Sequence, residues 1–456
     1  MATRGEQTTP AQLEPLPYTN VRGRRVRSVI SFACCCVVCI VYAVHFFSIN
    51  HYQSQPRGDR LHDFPTFYQA AQLALRHGDI YTAGSTPDVR YVYPPLIAFM
   101  FTPLTRFSLV KAAHVFLLLN TLMMFGSIAL ATRMILSRLN IRAASIFWPS
   151  VLLCTLLSWT QTHNVLIMGE TDVLMLFCFT LAFYWLDSNP ILAGVALGFA
   201  FNIKYLSIVA VPYLLLRRRW RAAISAFAGS VFFALLPMLL LGWRETLRDL
   251  RVSMGGLLLW VGVPPERTYS IRVHNISDDL SVSLTSALAR VLQPHGLSNA
   301  GVMILACIVG LLVVLAAAWM YQRKGLTLAA WPPESRQSFH PFRQLVALEW
   351  PGLVAAALVF SPDTNTRHLV MGVLANVLGA VLLLSLPIRF SRMALVGLLI
   401  IFITYTMPFG RASSGMHLFY YRYSIPSCGL LFGYLLILWT GLNRLEEPAA
   451  NCAATA

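Results

Sequence analysis

Asp63 is the carboxylate of this chain whose position most suggests catalysis. It stands in the stretch HDFPTFY, after the first long apolar segment and before an aromatic run. A carboxylate at a lipid boundary can take a proton from a hydroxyl group, because desolvation raises its pKa toward a useful range. Asp63 also lies two residues before Pro65, a spacing typical of a helix N-cap. We expect Asp63 to start a helix, and the roles of base and cap can coexist.

Three basic side chains have positions that suit an anion. Lys204 lies inside an apolar run, where a buried ammonium is costly unless it meets a negative charge. Arg367 and His368 precede an apolar run that begins at Leu369, and a cation at a helix N-terminus opposes the helix dipole. A phosphate would balance these charges. A salt bridge from Arg367 to Asp363 is the structural alternative.

Six further polar side chains fall near the same predicted loops and are additional pocket candidates. Tyr93 precedes two prolines, while Glu170 and Asp172 follow a glycine turn. The alternatives are an aromatic belt, a solvated loop and, for Asn275 in the sequence NIS, a glycosylation sequon. The complete set is His62, Tyr93, Glu170, Asp172, His274 and Asn275.

The sequence predicts neither a metal site nor a cofactor. Eight of its nine cysteines lie in apolar runs and Cys452 lies in the C-terminal tail, so we expect no disulfide framework and no cysteine ligand set. The chain also lacks a DxD motif, the paired carboxylates typical of enzymes that use nucleotide sugars.

Composition indicates an all-α polytopic membrane protein. Of the 456 residues 57% are hydrophobic and 12% charged, too few polar residues to cover a soluble globule. The net charge of +16 comes from short clusters between apolar runs, such as RGRRVR, RRRWR and RFSR, which mark cytoplasmic loops. These clusters lack the aromatic-interleaved face of a nucleic-acid binder, so we expect membrane lipid and not nucleic acid as a partner.

Apolar runs of helix length predict the membrane segments. Segment 191–216 violates the positive-inside rule if it crosses once, because RRRWR would then lie outside. A hairpin of two short helices that breaks near Asn202 and Lys204 restores the rule and gives about twelve helices with both termini inside. One long tilted helix is the alternative. The predicted segments are 28–49, 109–133, 145–161, 171–187, 191–216, 222–242, 299–320, 345–360, 369–386, 393–409 and 424–442.

This topology predicts a basic cytoplasmic segment 1–27, a transmembrane domain 28–442 and a cytoplasmic tail 443–456. Two long loops, 50–108 and 243–298, would lie outside. Apolar residues at helical spacing predict interfacial helices within these loops, beginning near Phe64, at Trp243 and near Ser277, with Ser277 as a cap.

Several stretches carry a family likeness when they are taken in chain order. They are FPTFYQAAQLALRHGDIYTAG, YVYPPLIAFMFTPL, MGETDVLML, LAGVALGFAFNIKYLSIVAVPYLLLRRRWRAA, HNISDDLSVSLTSALARVL and SPDTNTRHLVMGVLANVL. Together with Asp63, these stretches resemble the polyprenyl-phosphate-dependent glycosyltransferases of family 87, which include mycobacterial mannosyltransferases. The likeness implies a GT-C type fold of about twelve transmembrane helices, with a catalytic aspartate in the first outer loop, carried here by Asp63.

The sequence departs from the family pattern at two motifs. The family turn GQxN appears here as GETD, so Glu170 and Asp172 replace an amide pattern. The family sequence NQS is NIS, which keeps Asn275 and Ser277. The family's lysine and its histidine in the late outer loop match Lys204 and His368.

The resemblance implies an inverting transfer of a hexose, with mannose as the first candidate. The donor would be a polyprenyl-phosphate sugar and the acceptor a glycolipid or glycan hydroxyl, on the extracytoplasmic face of a bacterial inner membrane. Asp63 would be the base, while Lys204, Arg367 and His368 would hold the phosphate. The alternatives are a lipid or solute transporter or flippase, and an inactive scaffold that keeps the fold.

Overall fold

The computed structural model describes residues 21–48, 63–84, 91–141, 144–260, 275–326, 339–406 and 414–445. The regular elements in these ranges are helices, and the β-structure recorded there is one isolated bridge between Ser281 and Asn365. The prediction of an all-α protein is therefore confirmed. The helices are α1 (Val21–Ser48), α2 (Asp63–Leu75), α3 (Pro95–Phe101), α4 (Leu109–Arg138), α5 (Ala144–Leu157), α6 (Trp159–Met168), α7 (Asp172–Trp185), α8 (Pro190–Phe201), α9 (Ala210–Leu216), α10 (Trp220–Leu235), α11 (Met238–Leu241), α12 (Trp243–Trp260), α13 (Leu284–Leu292), α14 (Asn299–Gln322), α15 (Phe339–Phe360), α16 (Val373–Ser385), α17 (Ile388–Thr406), α18 (Ser414–Arg422) and α19 (Ile425–Leu445).

Apolar helices of membrane length dominate the described chain. Six are long and apolar enough to cross a membrane, or seven if the bent pair α5 and α6 counts as one span. The pair bends by 63°. The predicted end of this segment at residue 161 is wrong, because α6 continues to Met168. Thr162, the first residue beyond the predicted end, is buried inside the protein, as is Gln161.

The chain folds as a hairpin where the positive-inside rule required one. Helix α8 ends at Phe201, and a short 3-10 helix, Tyr205–Val209, leads into α9. The ends of the hairpin return to the same place, because Arg219 Nη2 lies 2.6 Å from Asp187 Oδ1. The predicted break near Asn202 and Lys204 is therefore confirmed. Asn202 stabilises the break by donating to the carbonyl oxygens of Gly198 and Ser230, at 3.0 and 2.9 Å.

Arginines and acidic residues pair at the end of the bundle where the hairpin begins and finishes, which we call the basic end. Arg138 and Arg219 both pair with Asp187. Arg217 pairs with Glu349 of α15. Removing one partner of a buried ion pair costs about 3–5 kcal/mol, because the other charge is left buried and unpaired. These pairs therefore fix how α4, α9 and α15 meet.

The sequence predicted that the apolar stripe of α2 lies on the membrane. In the structure, this stripe packs against other helices of the protein. Phe64 and Phe67 are fully buried. The Phe64 ring lies 5.9 Å from the ring of Phe101 in α3 and 5.3 Å from that of Phe116 in α4. This packing holds the start of α2, and with it Asp63, against the bundle.

The cap of the third loop helix differs from the prediction. Helix α13 begins at Leu284, and Ser283 is its cap, since the Ser283 hydroxyl accepts a hydrogen bond from the Ser286 amide at 3.0 Å. Ser277 lies in a turn seven residues before that helix start, so the predicted start near Ser277 is too early. Leu280, which lies between the predicted and the observed start, is exposed.

Candidate active site

Five charged side chains from four separate parts of the chain meet in one place, which we call the charge cluster. Arg367 Nη1 donates to Asp63 Oδ2 at 2.9 Å and also to Glu170 Oε1. Lys204 Nζ donates to the two carboxylate oxygens of Asp172 at 2.9 and 2.8 Å, and to Glu170 Oε2 at 3.4 Å. Three carboxylates and two cations thus alternate, with Glu170 in the middle.

A tight turn places two of the carboxylates. Gly169 ends α6 with a φ of 66°, a left-handed conformation that glycine adopts without strain. Glu170 follows, and Asp172 is the first residue of α7, where the helix dipole favours a negative charge. Asn120 of α4 fixes the turn by donating to the Glu170 carbonyl at 3.2 Å. The solvated loop that the sequence allowed here is wrong, because both acidic side chains are buried.

The hairpin turn places Lys204 at the end of the bundle opposite the basic end. Tyr93 lies beside it, with its ring centroid 5.5 Å from Lys204 Nζ. The Tyr93 ring packs edge-on against Phe67 of α2 at 4.8 Å, so it joins α2 to the hairpin. The Tyr205 and Ser253 hydroxyls share a hydrogen bond of 2.6 Å, which ties the turn to α12.

The segment that carries Arg367 is tied to the loop before α13. Ser281 and Asn365 form the isolated bridge, and the Thr364 amide donates to the Ser281 hydroxyl at 3.1 Å. The Asn365 side chain accepts from the Arg367 amide at 3.1 Å. His368 opens the short 3-10 helix His368–Gly372, one residue earlier than the predicted helix start. These contacts hold Arg367 over Asp63 and Glu170.

Burial and neighbouring charges shift the pKa values of Asp63 and Glu170 in opposite directions. Desolvation, followed by the charge of Glu170, raises the pKa of Asp63 to about 8, although Arg367 and Lys204 act to lower it. Burial alone would raise the pKa of Glu170, but Lys204 and Arg367 hold it well below its ordinary value. Of these two carboxyls, Asp63 therefore holds a proton more readily than Glu170.

The sequence model of glycosyltransferase family 87 matches residues 91–332, more than half of the chain. This chain belongs to glycosyltransferase family 87. The family resemblance is thereby confirmed, and the family 87 chain is a membrane glycosyltransferase. The matched region holds Glu170, Asp172 and Lys204, whereas Asp63 and Arg367 lie outside it.

Solved structures include one similar protein, ArnT from Cupriavidus metallidurans, in a crystal structure of its apo state. The two chains share 16% sequence identity with a TM-score of 0.41, over 91% of this chain and 78% of that one. No curated protein matches the family 87 chain.

The structure brings together most of the residues singled out in the sequence. Asp63, Glu170, Asp172, Lys204 and Arg367 form the charge cluster, and Tyr93 lies on it. His368 joins them, because one of its ring nitrogens lies within 4.8 Å of carboxylate oxygens of Glu170 and Asp172. Asn275 is exposed. It lies in a turn, where its backbone carbonyl accepts a hydrogen bond from the Asp278 amide. His62 and His274 lie outside the described residues.

The partners of Arg367 differ from both sequence-based alternatives. A phosphate or Asp363 was expected to balance its charge, and Asp63 and Glu170 do so. Asp63 is the first residue of α2, as the N-cap pattern suggested within one residue, and its side chain is committed to Arg367. No local pattern in the sequence could reveal this pair, because it depends on how α2 packs against the bundle.

Proposed function

We propose that this family 87 chain transfers a hexose, mannose being the first candidate, from a polyprenyl-phosphate donor to a hydroxyl group of a glycolipid or glycan. Transfer would invert the anomeric carbon, with Asp63 as base. The observation that carries the proposal is the pairing of Asp63 with Arg367. It sets a carboxylate that can accept a proton beside a cation that can hold a leaving phosphate.

Asp63 has the properties of a general base for a hydroxyl group. Its side chain is about one-fifth exposed, so a substrate can reach it. A pKa raised to about 8 makes the deprotonated Asp63 a stronger base than an ordinary aspartate, and its deprotonated fraction grows as the pH rises toward 8. In the proposed step, that proton moves to Asp63 while the acceptor oxygen forms a bond to the anomeric carbon.

Arg367 is the best candidate for the departing phosphate. The bond between the anomeric carbon and the phosphate oxygen breaks, and its electron pair leaves with the lipid phosphate. Among the described residues, the Arg367 guanidinium spends only Nη1 on protein carboxylates, so Nη2 and Nε can donate to the phosphate. Its side chain is about one-third exposed, twice the exposure of Lys204. Attack opposite the leaving phosphate gives inversion.

The positions of the two charged ends support an outward-facing site. Arginines gather at the basic end, and the positive-inside rule assigns such clusters to the cytoplasm. The charge cluster lies at the other end of α7, which would be the extracytoplasmic face of a bacterial inner membrane. A donor carried by the bilayer suits a site on that side, where nucleotide sugars are absent.

Transfer by the purified full chain in proteoliposomes tests the proposal. Labelled polyprenyl-phosphate mannose is the donor, and a short mannoside is the acceptor. We expect Asp63→Asn to abolish transfer with little change in unfolding temperature, because the amide keeps the shape and loses the base. Asp279→Asn, the same change at an exposed outer-loop carboxylate, is the matched control and should transfer normally. Full transfer by Asp63→Asn would remove Asp63 from the mechanism.

A further inference from the structure

Three side chains around Lys204 form a ligand set of the kind that holds a divalent metal ion. Ligand atoms of Glu170, Asp172 and His368 all lie within 4.8 Å of one another. Two carboxylates and an imidazole are common ligands of Mn²⁺ and related ions. Glu170 and Asp172 are almost fully buried, so their charges need a cation nearby.

The Lys204 ammonium takes the place of that cation. Lys204 Nζ lies 2.8 and 2.9 Å from the two oxygens of Asp172 and 3.4 Å from Glu170 Oε2. An ammonium has three donors, and two acidic side chains supply acceptors for them. A lysine that is committed in this way has little left for a substrate phosphate, which separates its role from that of Arg367.

Charge balance shows what would follow from the loss of Lys204. The charge cluster contains the carboxylates of Asp63, Glu170 and Asp172, against the cations Lys204 and Arg367. Without the ammonium, the buried charge of Asp172 would lose its cationic partner, and an unpaired buried charge is strongly destabilising. A divalent ion bound by the same oxygens would again give Glu170 and Asp172 a cationic partner.

We propose that Lys204 is a fixed cation standing in the position of a divalent metal, so that the native chain needs no metal and a chain without the lysine side chain gains a metal site. The ligands would be Glu170, Asp172 and His368. The inference has two parts: a chain without the lysine side chain binds a divalent ion, and that ion supports transfer in place of the ammonium. The second, catalytic part rests on the proposed function, whereas the first, metal-binding part does not.

Mn²⁺ binding to the purified full chain, followed by electron paramagnetic resonance, tests the metal site without any activity measurement. We expect Lys204→Ala to bind one Mn²⁺ at least about 10-fold more tightly than the native chain, a change typical of gaining or losing a contributing group at a metal site. Lys204→Met is the matched control, because it removes the charge and still fills the space. The second control combines Lys204→Ala with Asp172→Asn, which removes a ligand. Both Lys204→Met and this double variant should bind Mn²⁺ no better than the native chain.

The results separate the two parts of the inference. Equal Mn²⁺ affinity of Lys204→Ala and Lys204→Met, or tight Mn²⁺ binding by the native chain, would overturn the metal site. Recovery of transfer by Lys204→Ala on addition of Mn²⁺ would support the catalytic part, and tight binding without recovery would overturn it. The native chain gives a test that needs no variant: transfer in EDTA should equal transfer without it, and its loss would overturn the role of Lys204 as the resident cation.

Discussion

Arg367 Nη1 donates to Asp63 Oδ2 at 2.9 Å across 304 positions of the chain. The pair joins the first loop helix to a segment near the end of the bundle. It also sets the proposed base beside the proposed phosphate ligand, so substrate binding and proton transfer share one guanidinium. A phosphate that draws Arg367 toward itself would weaken the hold on Asp63 and raise the basicity of the carboxylate when the acceptor arrives.

Replacement of Arg367 tests this shared role. We expect Arg367→Ala to lower kcat by about 100- to 1,000-fold, the loss typical when one group that stabilises developing charge is removed. Arg367→Lys should recover part of this loss, because an ammonium keeps the charge but lacks the planar fork that holds a carboxylate and a phosphate together. Transfer of labelled sugar at saturating donor provides the measurement.

An arginine outside the cluster controls for general loss of positive charge. Arg422, at the end of α18, is exposed, and Arg422→Ala should transfer at the native rate. Equal rates for Arg367→Ala and Arg422→Ala would mean that Arg367 supports only the structure.

The rate of transfer should depend on the protonation of Asp63. Desolvation and the charge of Glu170 raise the pKa of this carboxyl to about 8. A base acts when it is deprotonated, so kcat/KM should rise about tenfold per pH unit below the pKa and level off above it. Measurement of kcat/KM from pH 5.5 to 9.5 gives the profile, and a flat profile across this range would contradict the assignment of Asp63 as base.

Replacement of Glu170 should move that profile in a known direction. The negative charge of Glu170 raises the pKa of Asp63. Glu170→Gln removes the charge and keeps the shape, so we expect the rise in kcat/KM to occur at lower pH. A shift toward higher pH would contradict this expectation. It would show that Glu170 acts mainly by holding Arg367 beside Asp63, where the guanidinium lowers the pKa of the carboxyl.

Local sequence patterns were sufficient to find the parts of the site that depend on chain direction and helix ends. The position of Lys204 inside an apolar run, combined with the basic cluster after it, predicted the hairpin. Charges in or beside apolar segments also singled out Asp63 and Arg367. Such positions are visible because a charge near lipid requires a physical reason.

Long-range packing decided what the sequence could not supply. The 63° bend between α5 and α6 and the burial of Gln161 have no local signal in the sequence, because both depend on how these helices pack in the bundle. The anions that hold Arg367 come from α2 and from the turn before α7, far away in the chain. The family departure GETD looked like a change in a solvated loop, and the fold makes it the centre of the charge cluster.

The proposed orientation of the site can be measured by labelling. In a cysteine-free chain, Asp279→Cys lies at the end that carries the charge cluster, and Arg323→Cys lies just after α14 at the basic end. Both positions are exposed. We expect a membrane-impermeant maleimide to label the first variant in intact cells, and the second only after the membrane is opened. The reverse pattern would place the charge cluster in the cytoplasm and remove the argument for a lipid-linked donor.

Close packing of α8 on α10 should be required to hold Lys204 in place. A Cβ atom at Gly198 would lie 2.5 Å from the Ser230 amide nitrogen and 2.7 Å from the Ala226 carbonyl oxygen, and backbone atoms cannot move aside cheaply. We expect Gly198→Ala to lower the free energy of unfolding by about 1–3 kcal/mol, as overpacking commonly does. Gly255→Ala on α12, where nothing lies within 4 Å, is the control and should unfold at or above the native temperature. Thermal unfolding in detergent measures the stability of both variants. Transfer should also fall in Gly198→Ala and not in Gly255→Ala, because the hairpin that Gly198→Ala disturbs carries Lys204, the cation that pairs with Glu170 and Asp172. Equal unfolding temperatures for Gly198→Ala and Gly255→Ala would mean that α8 and α10 are not in close contact at Gly198, and that this packing does not position Lys204.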